Sequence, residues 1–203
     1  MSVPERLVVG ISGASGAIYG IRALEVLREL GVETHLVMSA GARATIALET
    51  DYTAQQVRAL ASVAHSDANL AASIASGSFR TDGMLVAPCS IKTLSGIANS
   101  YADNLLVRAA DVTLKEARRL VLMVRETPLH AGHLELMQRA ARNGAIILPP
   151  VPAFYHRPAS VLDLVDQSLG KALDLFGVDA DLYRRWQGAA LAQQERGRER
   201  EEG

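Results

Sequence analysis

Apolar residues along this chain come in short, dense bursts separated by turn residues and by stretches with helical spacing. Leu7 to Ile11 is an apolar, β-branched run that leads into Gly13-Ala14-Ser15-Gly16, and an amphipathic stretch follows from Ala17 to Leu30. Strand, tight turn and helix are the elements this pattern predicts. Leu36 to Met38 closes a second strand at Ser39, and Ala42 to Leu48 has helical spacing with Glu49 near its end. A third strand, Met84 to Ala87, runs into Pro88-Cys89-Ser90-Ile91-Lys92-Thr93 and another helical segment. Leu120 to Val124 and Ala145 to Leu148 read as two more strands, with a helix from Leu134 to Asn143 between them, and Val161 to Phe176 is helical again. Short apolar strands alternating with helices predict an α/β fold: a doubly wound, mostly parallel sheet in three layers, Rossmann-like or flavodoxin-like.

Between these segments, Thr50 to Thr81 carries too little periodic apolar sequence for a core and reads as a helix and an exposed connection. Pro149-Pro150-Val151-Pro152 starts a rigid loop that reaches Tyr155-His156-Arg157-Pro158. With 49% hydrophobic residues in 203, the chain suits one domain over residues 1–192. The Glu- and Arg-rich segment 193–203 lacks apolar anchors and reads as a mobile tail. A formal charge of −1 gives no general electrostatic footprint for nucleic acid or an anionic membrane. No run approaches the roughly 18 apolar residues of a membrane span. The lone Cys89 forms no intramolecular disulfide, and MSVPERLVV has no secretory-signal pattern, so a reducing, cytoplasmic location is expected.

Candidate chemistry gathers where strands end. In GISGASG the glycines at 10, 13 and 16 let backbone N–H groups approach an anion at a helix N-terminus. The pattern is not GxGxxG, and the second strand ends at Ser39 where an NAD-binding chain usually places an acidic residue, so a mononucleotide phosphate fits better; a ligand-free turn is the alternative. PCSIKT offers a second such loop, although Ser90 and Thr93 serve equally as helix caps. Cys89 reads as a packing residue. Arg108 precedes a small-residue turn, Ala109-Ala110-Asp111, with Lys115 a short way on, and Arg125-Glu126 follows a strand. Such charges either clamp a phosphate and manage a proton or are solvated ion pairs. His130 and His133 near Glu135 lack HExxH spacing, and no metal is expected. Tyr155 covers a ligand or packs, Lys171 by default is a surface lysine, and Trp186 reads as a core or interface anchor.

In order along the chain, GISGASGAIYG, ALETD, PCSIKTLSGIA, RAADVTLKE, VRETPLHAGHLELM and PPVPAFYHRP resemble the UbiX-type (Pad-type) flavin prenyltransferase family, nearly up to Trp186. The resemblance implies FMN held by Gly13, Ala14, Ser15, Ser39, Ser90, Ile91, Lys92, Thr93 and Arg125. It implies dimethylallyl monophosphate held by Tyr155 and Lys171, with Ser15, Arg108, Lys115 and Glu126 around its phosphate. Glu49 matches the family carboxylate near the reacting edge of the flavin. Relatives commonly carry Arg where this chain has Lys171, which keeps the charge and loses the planar fork.

The implied reaction joins the dimethylallyl unit to N5 of reduced FMN and closes a ring at C6, giving prenylated FMN for a UbiD-type decarboxylase, with ubiquinone biosynthesis the expected pathway. Ser15, Glu49, Lys115 and Glu126 are the implied catalytic residues: Glu49, with Ser15 nearby, for proton transfer at the flavin, Lys115 for the leaving phosphate, and Glu126 for protonating it. The resemblance also implies a homododecamer with sites shared between subunits, and no need for metal. A direct flavin-dependent decarboxylase of aromatic acids or peptidyl cysteine, and a non-catalytic flavin carrier, are the competing readings. The first would want a histidine near the first glycine loop, whereas His35 lies inside the second strand.

Overall fold

A computed structural model describes residues 4–186 and 188. The expected tail, 193–203, and the expected domain limit at 192 lie outside the described residues. Among the described residues the strands are β1 (Arg6–Ile11), β2 (Glu33–Met38), β3 (Val63–Ser66), β4 (Gly83–Cys89), β5 (Arg119–Val124) and β6 (Ala145–Ile147). The helices are α1 (Ala17–Glu29), α2 (Ala40–Glu49), α3 (Ala54–Leu60), α4 (Ile91–Ala98), α5 (Leu105–Lys115), α6 (Ala131–Arg142) and α7 (Val161–Asp174). Each strand pair is parallel, in the order β3-β2-β1-β4-β5-β6. The chain builds outward from β1 through β2 to β3, then returns to lay β4 on the other side of β1. That reversal puts a crevice beyond the carboxyl ends of β1 and β4, where open α/β sheets take their ligands.

Period-two alternation divides β1 between two cores. Leu7, Val9 and Ile11 face the layer of α1, α3 and α7, with Leu24, Val57 and Leu173. Val8 faces the layer of α4, α5 and α6, with Leu94, Leu105 and Ala140. Fully buried leucines such as Leu24 and Leu85 each contribute on the order of 1.5–3 kcal/mol.

Two expectations change. The connection 50–81 contains β3, a four-residue edge strand (VAHS) whose residues are exposed or half-buried, so its composition carries no core signal. Arg108 does not precede a turn; Ala109, Ala110 and Asp111 continue α5, which Asn104 caps by accepting the Val107 N–H. Ala109 and Ala110 are small because they are buried against the sheet. Among the described residues no helix is long and apolar enough to cross a membrane.

Candidate active site

The loops after β1 and β4 are stitched together by Ser12, which is fully buried. Its hydroxyl donates to the Pro88 carbonyl (2.9 Å) and accepts the Ser90 N–H (2.7 Å), while its own N–H also reaches Pro88 (3.2 Å). One side chain therefore fixes GISGASG against PCSIKT. Ser39 N–H bonds the Ile11 carbonyl and Arg125 N–H the Cys89 carbonyl, so the ends of β2 and β5 join the same edge.

At the first loop Glu49, the last residue of α2, reaches across to α1. Its Oε2 accepts the N–H of Gly16 (2.7 Å) and of Ala17 (3.4 Å). Gly16 holds φ 97°, a left-handed backbone that glycine adopts without a Cβ clash. Burial pushes the Glu49 carboxyl up, but the Gly16 N–H, the Ser15 hydroxyl, the Ala17 N–H and the Arg125 charge together hold it below the usual carboxylate range. Arg125 also acts on Tyr19, whose hydroxyl is bonded to Ser168 of α7. Ser15, Glu49 and Arg125 thus form one electrostatic unit. The N-terminus of α1, expected to receive a phosphate, already holds a carboxylate.

Beside this unit opens a cleft of ≈ 1430 Å³ whose walls include Gly13, Ser39, Ser90, Ile91, Lys92, Thr93 and Glu126. Ser39 caps α2 by accepting the Ala42 N–H (3.1 Å), and Ser90 caps α4 by accepting the Thr93 N–H (3.3 Å). Two helix N-termini with their positive dipole ends therefore face the cleft together with the Lys92 ammonium. Gly13 and Gly41 meet backbone to backbone: a Cβ on Gly13 would lie 2.8 Å from Gly41 Cα. The cleft has ample room for a mononucleotide such as FMN, and its hydroxyl donors and paired helix ends suit a phosphate.

The other expected residues are distributed differently. Glu126 is on the cleft wall, just past β5. Tyr155 is in the proline loop with its ring edge-on to Trp186, centroids 5.8 Å apart. Lys171 is exposed on α7, three residues after Ser168, and its charge acts on Asp174. Arg108 and Lys115 do not join the cleft of their own chain. Arg108 donates to the Ala75 carbonyl and pairs with Asp111, and Lys115 sits at the end of α5 that leads into the start of β5, at the opposite edge of the sheet. Neither side chain lines the cleft, although α5 begins beside it, with Asn104 and Val107 on the cleft wall.

Cys89 is fully buried, and burial pushes its thiol far above its ordinary range, consistent with packing. His130 caps α6 through Nδ1, which accepts the Gly132 N–H, and its ring lies tilted against that of His133. Among the described residues, no three His, Cys, Asp or Glu side chains are grouped to hold a metal ion. His35, at the level of Val8 in β1, bonds Glu33 and His65, well before the loop that starts after Ile11. Sequence reasoning missed Ser12 and Asp67. Ser12 lies inside the glycine motif and is legible as a strand-end hydroxyl, whereas Asp67, a cleft-wall residue bonded to the Leu106 N–H with its carboxyl pushed up by burial, sits in a connection with no pattern.

A doubly wound sheet with a cleft at its reversal point roomy enough for a mononucleotide defines the class of nucleotide-binding α/β proteins. A family model described as Flavoprotein matches residues 1–172. The flavin prenyltransferase UbiX of Thauera aromatica is 62% identical over 183 residues, 90% of this chain and 94% of that protein. That of Escherichia coli K12 is 62% identical over 188 residues, 91% of this chain and all of the relative. The crystal structure of AnUbiX (PadA1) in complex with FMN and dimethylallyl pyrophosphate superposes with a TM-score of 0.90 at 55% identity, covering 91% of this chain and 98% of that one. A dodecameric FMN-dependent UbiX-like decarboxylase from E. coli O157:H7 gives 0.88 at 54% identity, covering 90% and 100%. This chain belongs to the flavoprotein family and, within it, to the UbiX-type flavin prenyltransferases.

Proposed function

We propose that this protein transfers a dimethylallyl group from dimethylallyl monophosphate to reduced FMN, and that the product serves a UbiD-type decarboxylase of ubiquinone biosynthesis in the cytoplasm. The observation that carries the reading is the unit of Ser15, Glu49 and Arg125, close in the chain to Gly13 and Glu126 of a cleft with room for FMN, in a chain 62% identical to flavin prenyltransferases. Bound reduced FMN supplies the nucleophilic N5 and, for ring closure, C6.

The allylic C–O bond breaks as the C–N5 bond forms, phosphate leaves with the bonding electrons and N5 loses its proton; ring closure then adds a proton to one carbon of the remaining C=C bond while C6 bonds to the other and loses its own proton. Gly13, Ala14, Ser39, Ser90, Ile91, Lys92 and Thr93 hold FMN through their backbone and hydroxyl groups. Glu49, held ionised, accepts a proton with Ser15 as its hydrogen-bonded neighbour, and Arg125 orients that carboxylate and contacts FMN. Glu126 protonates the departing phosphate, and Tyr155 and Lys171 hold the substrate.

Arg108 and Lys115 stabilise the phosphate of a neighbouring copy's site, in a homo-oligomer like the dodecamer formed by the E. coli relative. That neither side chain lines the cleft of its own chain supports this sharing. Cationic side chains then serve as the phosphate clamp without a metal.

Anaerobic incubation with FMN, a reductant and dimethylallyl monophosphate, followed by mass spectrometry of the released flavin, tests the proposal. A gain of one five-carbon prenyl unit is expected. Unmodified FMN with both the mono- and the diphosphate would overturn it.

A further inference from the structure

Lys115 is not a bare ammonium. Its Nζ is paired with the carboxylate of the next residue, Glu116. Both side-chain heads lie in a notch over Gly77, where an added Cβ would collide with Glu116 Oε1 and lie 2.6 Å from Lys115 Nζ. The same turn gathers further cations. Arg108 donates to the Ala75 carbonyl (3.2 Å), and Arg118 to those of Gly77 (2.7 Å) and Phe79 (2.8 Å). The Arg118 charge also acts on Glu116. Three cations thus stand around one turn, and Glu116 shares the ammonium that the phosphate would need. The pair is half open to solvent, with side-chain exposures of 46% for Lys115 and 34% for Glu116, so an incoming anion can displace the carboxylate.

We propose that Glu116 is the resting counter-ion of Lys115, which a phosphate displaces on binding and which returns as phosphate leaves, so that it limits how tightly substrate and released phosphate are held. This rests on the reading of Lys115 as a phosphate ligand. A single exposed carboxylate competes weakly with a dianion that Arg108 also attracts, but effectively with adventitious monoanions. The exchange tunes phosphate affinity downward and shortens product retention. Glu116 is therefore a positioning residue, acting through Lys115. Hydrogen bonding and the charge of Lys115 hold its carboxyl below the usual range, so it is an anion throughout the neutral range.

The test uses the full-length protein loaded with FMN under anaerobic conditions, with dimethylallyl monophosphate as substrate and inorganic phosphate as inhibitor. Glu116→Gln and Glu116→Ala should each lower the half-saturating substrate concentration, and the phosphate concentration that halves the rate, by about two- to fivefold, the scale of one exposed ion pair. A merely structural Glu116 would move both the other way. Lys115→Met, measured alongside, should raise both. If Lys115→Met raises them while neither Glu116 variant lowers them, the counter-ion role is overturned. If Lys115→Met changes neither, the phosphate reading of Lys115 falls first and the inference with it.

Discussion

Glu49 Oε2 accepts the Gly16 N–H at 2.7 Å, so a carboxylate at the end of α2 closes the N-terminus of α1. An anion on a helix N-terminus is stabilised by the exposed N–H groups and the dipole, and here the Ser15 hydroxyl and the Arg125 charge add to it. The carboxyl is thereby held ionised, the state that a general base requires.

Glu49→Gln keeps the shape and an acceptor oxygen for Gly16 but cannot take the proton. FMN should still copurify, while prenyl transfer falls by about 100-fold or more, the usual scale of general-base catalysis. Single-turnover prenylation measured by mass spectrometry checks this, and an undiminished rate would remove Glu49 from the mechanism.

If Lys171 holds the substrate phosphate, it does so as a point charge rather than as a planar fork. Lys171→Ala should raise the half-saturating concentration of dimethylallyl monophosphate about tenfold, the loss of one charge-assisted contact, with a smaller change in turnover. Lys171→Arg should restore or lower it. A half-saturating concentration unmoved by both variants would place the phosphate elsewhere.

How much of this was legible in the sequence depended on burial. β1, β4 and β5 are apolar on both faces because helices cover both, so each stands out as a continuous run. β3 at the sheet edge has no such run, and α5 was misread as a turn because buried alanines look like turn residues when their packing partners are unknown. The glycine motif marks the turn at the end of β1 and the start of α1, but a sequence cannot reveal that Glu49, 33 residues from Gly16, takes that helix end. The family resemblance places Arg108 and Lys115 with Glu126 around one phosphate; of these three, Glu126 lies on the cleft wall of this chain and Lys115 stands at the far end of α5.

The opposite end of the sheet carries an acid-sensitive tie. Arg6 grips Glu33 with two hydrogen bonds of 2.8 Å, and His35 bonds the same carboxylate. The Arg6 bonds first, then His35, hold the Glu33 carboxyl down to about 2 against an ordinary 4.5. A depressed folded-state value stabilises the fold above the ordinary one, and the stabilisation disappears as pH falls from about 4.5 to about 2. Solvent screening of this part-exposed pair limits it to about 1 kcal/mol. Urea unfolding of Glu33→Gln should show a deficit at neutral pH that shrinks across that window; a constant deficit would mean lost packing instead.

Trp186, the sole tryptophan of the chain, is 57% exposed and touches Tyr155 edge-on. If Tyr155 contacts the dimethylallyl substrate, its ring cannot shift without changing the surroundings of the indole. Adding dimethylallyl monophosphate to the FMN-loaded, oxidised protein should therefore change tryptophan emission in a saturable way, with no turnover to confuse the signal. Tyr155→Ala should abolish the change, and Tyr155→Phe should keep part of it because the ring contact survives. A response that persists undiminished in Tyr155→Ala would mean that the substrate reaches Trp186 by another route, and Tyr155 would then return to a packing role.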